Sequence, residues 1–113
     1  MNISTVNSAP ENPNPHKVDV RKLYDYEHAQ AMHITLQPGE RLLRHITPVD
    51  VFFYILEGRG KVEVGDEIKE VGPDTLVESP AGIVHCLMND GDEGIFRVLV
   101  VKTPRPTEST KLL

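Results

Sequence analysis

The 113-residue sequence predicts an all-β fold, a sandwich or barrel of two antiparallel sheets, from three observations. Turn-forming clusters recur about every eight to twelve residues, the spacing of short antiparallel strands. Eight glycines and nine prolines supply those turns. The segments between them are short and rich in Val, Ile, Leu and Phe. The best defined alternates apolar and polar residues with a period of two.

The elements follow in order. Ala31 to Leu36 alternates, with Met32, Ile34 and Leu36 on one face, and Pro38-Gly39 ends it. Val51 to Leu56 is apolar on both faces and stops at Gly58-Arg59-Gly60. Lys61 to Val64 leads into a Gly65-Asp66 hairpin turn, and Ile68 to Val71 returns. Gly72-Pro73-Asp74 turns again before a short strand, Thr75 to Glu78, and then Ser79-Pro80-Ala81-Gly82. Val84 to Met88 enters a hairpin loop, Asn89 to Gly94, and Ile95 to Lys102 is the last strand. Val20 to Ala29 has an ambiguous period and is compatible with a short helix as well as a strand.

The chain ends read as tails. Prolines 10, 13 and 15 forbid a helix near the N-terminus, and prolines 104 and 106 do the same near the other end. The expected organisation is a flexible tail over 1–17, one domain over 18–103 and a C-terminal tail over 104–113. A doubly apolar strand such as Val51–Leu56 must be covered on both sides. An N-terminal segment or a second subunit could cover it, and the latter makes a homodimer an expected state.

Charge and composition limit the partners. Twelve basic against 17 acidic residues leave a net charge of −5 and no basic stripe, so nucleic acid is not expected. One cysteine allows no intrachain disulfide. No apolar run approaches the length of a bilayer span, and Met1 to Glu11 lacks the features of a signal peptide. A cytoplasmic protein without a membrane partner is the expectation.

Five histidines are the main candidates for chemistry. His16 and His28 sit in polar surroundings and read as solvated surface groups. His33 lies opposite the apolar face of its strand and is expected to point outward. His45 and His85 each follow a turn, Pro38-Gly39 and Pro80-Ala81-Gly82, at the start of a β segment. Their surroundings form two blocks. Gly39, His45 and Gly58 mark the first, and Pro80, Gly82, His85 and Asn89 mark the second, as P-x-G-x-x-H-x-x-x-N.

These blocks, with Phe53 to Gly60 between them, resemble the two signature motifs of the cupin superfamily over roughly 31–104. The resemblance implies a double-stranded β-helix, the jelly-roll barrel, enclosing one pocket and frequently dimeric. It also implies a metal shell of two histidines spaced H-x-H and a Glu (or a third His) from the first motif, and one histidine from the second. Matched position by position, His45 and His85 fill two places, while Thr47 stands for the second histidine and Val51 for the acid. Two neutral imidazoles are too few for a tight zinc or ferrous site. Asp50, one residue from the acidic position, should face away from the cavity. At most one weakly held divalent ion (Zn, Fe, Ni or Mn) on His45 and His85 is therefore expected.

By strand parity the pocket should be lined by Met32, Ile34, Leu36, Val51, Phe53, Ile55 and Val77 with His45 and His85, and the resemblance adds Thr47 at the second-histidine position. Arg97 joins them if its face of the last strand points inward, where it could hold a carboxylate; otherwise it snorkels out at the sheet end. Cys86 should face away from His85 as a buried, inert thiol. The expected function is binding of a small organic molecule in the barrel. One alternative is a metal-dependent oxygenase or isomerase acting on a small acid or sugar-like compound through His45 and His85. Another is a structural dimeric barrel without a ligand.

Overall fold

A computed structural model describes residues 1–91 and 93–113; Asp92, part of the expected 89–94 loop, lies outside the described residues. Among the described residues there are ten strands and no helix: β1 (Asp19–Tyr26), β2 (Ala29–Leu36), β3 (His45–Ile46), β4 (Asp50–Glu57), β5 (Gly60–Val64), β6 (Glu67–Val71), β7 (Leu76–Ser79), β8 (Val84–Met88), β9 (Phe96–Thr103) and β10 (Lys111–Leu112). They form two antiparallel five-stranded sheets, ordered β1-β2-β9-β4-β7 and β10-β3-β8-β5-β6. This is a double-stranded β-helix.

The segment of ambiguous period is strand β1. Its register with β2 shifts between Lys22 and Tyr24, and that irregularity breaks the alternation by which a strand is recognised. The two inner faces meet in a core that includes Leu36, Phe53, Ile55, Leu87, Phe96 and Val98, all essentially without solvent contact. Tight turns hold the frame. Gly58 has φ 82°, and a side chain there would also collide with the carbonyl of Ile95. Asn89 links two loops: its side-chain amide donates to the carbonyls of Leu36 (3.0 Å) and Gly94 (3.1 Å).

Both chain ends return to one end of the barrel. The amide of Asn12 donates to the carbonyl of Val20 at 2.7 Å. Asn14 closes the following turn, its side-chain amide donating to the carbonyls of Asn12 and Val18. Strand β10 lies outside the expected domain, yet it pairs with β3, with Leu112 opposite His45. On the outer face of the first sheet, Phe52, Tyr54, Leu99 and Val101 are half-buried and Leu76 is exposed. Among the described residues no helix is long and apolar enough to cross a membrane.

Candidate functional site

Strand β3 is only two residues long, but it pairs with β8 so that His45 and His85 stand directly opposite each other. Directly opposed residues share one face of a sheet, so both rings project into the barrel. Their Nε2 atoms are 2.9 Å apart and the rings meet edge to face.

The proton positions follow from the partners. His45 Nδ1 faces the carbonyl of Leu43 at 2.7 Å, and a carbonyl only accepts, so this nitrogen carries the proton. Neutral His45 then has a bare Nε2, which accepts from His85 Nε2–H. That proton also reaches Thr47 Oγ1 at 3.2 Å. His85 Nδ1 is left bare and accepts from the Ser79 hydroxyl at 2.7 Å. The chain Ser79–His85–His45–Leu43 therefore runs in one direction with both rings neutral.

A third histidine joins them. The amide of Leu43 donates to His16 Nδ1 at 2.8 Å, so the backbone of one residue orients both His16 and His45. Their ring centroids are 5.0 Å apart. Burial is the largest influence on all three rings and disfavours the charged form. It pushes His85 down to about 3, helped by His45 and Lys102. His16 falls to about 4 for the same reasons. His45 is also lowered, by burial against the opposing bond to Leu43.

These rings open on a cavity of about 300 Å³. Its walls are Val20, Met32, Ile34, Leu42, Phe53 and Val100, with His16, His45, His85 and Lys102 as polar groups. The segment 12–16 and residues Thr110 and Leu112 form its rim.

The family profile described as the cupin domain matches residues 32–102. This chain belongs to the cupin family. No curated protein sequence matches it. Among solved structures, it resembles the TT1209 protein of Thermus thermophilus at 29% identity and a TM-score of 0.79, covering 94% of this chain and 100% of that one. An RmlC-like cupin of Methanocaldococcus jannaschii is 25% identical with a TM-score of 0.73, covering 87% of this chain and 90% of that one. The polyketide cyclase RemF of Streptomyces resistomycificus, at 20% identity, shares the fold with a TM-score of 0.85, over 100% of this chain and 85% of its own.

Of the residues expected in the pocket of this cupin, Met32, Ile34, His45, Phe53 and His85 line the cavity. Leu36, Val51 and Ile55 are inward but packed in the core away from it. Thr47 is buried as a hydrogen-bond partner of His85, and Val77 lines a separate groove with Val62 and Val64. Arg97 is corrected. The inward face of β9 carries Phe96, Val98, Val100 and Lys102, so Arg97 points to the outer face. There it bonds His33 Nε2 and pairs with Glu57, at 3.1 Å each. His33 does lie on that outer face, yet it is buried, with Nδ1 unpartnered among the described residues.

The wall residues Val20, Leu42 and Val100 and two polar groups, Lys102 and His16, lie outside the pocket expected from the sequence. Lys102 is the polar end of an otherwise apolar inward row, and choosing the face that carries Phe96 over the face that carries Arg97 would have found it. His16, expected as a surface group, has no periodic signal because it arrives through turns and prolines. Cys86 is fully buried and its thiol donates to the carbonyl of Leu42 at 3.1 Å.

The donor set does not fit a tightly bound metal. The Nε2 atoms of His45 and His85 already share a proton, and Thr47 offers only a neutral hydroxyl. His16 has Nδ1 taken by the amide of Leu43 and its proton on Nε2, so it offers no bare nitrogen. Asp50 is exposed and accepts from the amide of Ala81. Among the described residues no cluster of three or more His, Cys, Asp or Glu could hold an ion.

Ser79 tests the chain directly. Ser79→Ala removes the only donor to His85 Nδ1 among the described residues, and a buried unsatisfied acceptor costs about 1–3 kcal/mol. Urea unfolding should report a loss of that size, and an unchanged midpoint would contradict the bond.

Proposed function

We propose that this cupin binds a small organic molecule inside the barrel, with at most a weakly held divalent ion. The observation that supports this best is the cavity: apolar walls with a few polar groups converging at one end, the usual make-up of a small-molecule site. The ring nitrogens of His45 and His85 are taken up by each other and by Leu43, Thr47 and Ser79. It is the Nε2–H of neutral His16 that can donate to a ligand without adding a buried charge. The ligand enters past the segment 12–16.

A thermal-shift screen of small acids, amides and sugar-like compounds tests the reading. A ligand that binds only the folded state at about a hundred times its Kd adds about 2.7 kcal/mol of apparent stability. Several hits weakened by Phe53→Leu are expected, and a screen without hits would leave only a structural barrel. Titration of EDTA-treated, tag-free protein with Zn²⁺, Ni²⁺, Mn²⁺ and Fe²⁺ should give Kd values no tighter than about micromolar, given two protein donors. Nanomolar binding lost in both His45→Ala and His85→Ala would instead favour the metal-dependent enzyme.

The homodimer belongs to the same proposal. Phe52, Tyr54 and Leu76 leave an apolar patch on the outer face of the first sheet. Light scattering should give twice the chain mass, and the mass of one chain would remove the dimer.

A further inference from the structure

The cavity contains one full charge. Lys102 follows Phe96, Val98 and Val100 on the inward face of β9 and ends among the histidines. It is half-buried, and among the described residues no Asp or Glu lines the cavity with it. Among the described residues Lys17, Arg41, Lys102 and Lys111 make no ion pair; the other three are exposed, and Lys102 alone of them is half-buried. The protein as a whole carries −5, so the interior of its pocket is electropositive against a negative exterior. A cation taken partly out of water without a partner is costly, and an anion that enters with it relieves that cost.

We infer that Lys102 is the counter-charge for the ligand, so that the pocket takes an apolar body bearing a single carboxylate. This rests on the proposed small-molecule reading and names its ligand class. The charge count favours a monoanion. One ammonium faces the cavity without an arginine fork, and no helix N-terminus exists among the described residues to share a phosphate dianion. His16 supports the choice: its Nδ1 accepts from Leu43, so its ring proton sits on Nε2, available as a second donor. The apolar walls hold the body of the acid. Burial, with Lys22 nearby, lowers the pKa of the Lys102 ammonium, and a bound carboxylate reverses that pressure.

Calorimetric titration with matched acids and amides, benzoate against benzamide and cinnamate against cinnamamide, tests the inference. The natural protein should prefer each acid by about tenfold or more, the worth of a charge-assisted bond. Lys102→Met should bind acid and amide within about twofold of each other, and Lys102→Arg should keep the preference. Lys102→Gln serves as a second neutral variant should the methionine variant not fold. Lys102→Met is otherwise expected to melt a few degrees higher, since an uncompensated charge has left the interior. Equal binding of acid and amide by the natural protein would overturn the charge assignment and leave the pocket reading standing. The same holds if both neutral variants keep the preference. Binding of neither acids nor amides would overturn both.

Discussion

Acidification from pH 6.5 to about pH 4.5 should cost this cupin roughly 2 kcal/mol through His85 alone. The folded protein holds His85 down at about 3, chiefly by burial, while the unfolded chain titrates near 6.5. Below pH 6.5 the unfolded state therefore binds a proton that the folded state refuses, and stability falls with each unit of pH. The contribution is fully present above 6.5 and continues to drain until pH approaches about 3. His16 and His45 are displaced in the same direction and steepen the loss. Denaturant unfolding across this range checks it. His85→Gln, which removes the titrating ring, should show a shallower dependence than the natural protein. Identical slopes would mean that His85 is not held neutral in the fold.

Phe53→Ala should destabilise the protein by about 3–5 kcal/mol, the range for removing a buried aromatic ring. Phe53 is 1% exposed and stands between Val77 and Val100 in the register of the first sheet. Its ring packs edge to face on His85 at 5.2 Å, so one side chain is both core and pocket wall. The substitution removes apolar contacts and opens the cavity beside the histidine pair. Phe53→Leu keeps most of the volume and should cost far less. Urea midpoints measure both, and a loss below about 1 kcal/mol for the alanine variant would mean that the wall collapses to fill the space.

Much of the fold is legible in the sequence because turn chemistry is local. Gly65-Asp66 turns β5 into β6, and Pro80, Gly82, His85 and Asn89 mark the turn, strand and loop staple that they suggest. What stays hidden depends on contacts distant in sequence. Strand β3 is too short for any periodic pattern and exists because β8 and β10 flank it. The parity of β9 is ambiguous when both faces are apolar, and the ambiguity exchanged Arg97 for Lys102. The N-terminal segment offers few apolar side chains; it is placed by hydrogen bonds from Asn12, Asn14 and the backbone of Leu43, which leave no compositional trace. Ser79 could have been noticed as a hydroxyl one residue before Pro80, but its partner is set by the pairing of sheets.

Long-range proton–nitrogen correlation spectra of the histidine rings at neutral pH address the central assignment most directly: a neutral pair bonded to itself instead of shared by a metal. The expected spectrum has His45 protonated on Nδ1 and His85 on Nε2, with no change on adding EDTA. An imidazolium pattern for either ring, or Nε2 resonances of both that move when EDTA is added, would contradict it.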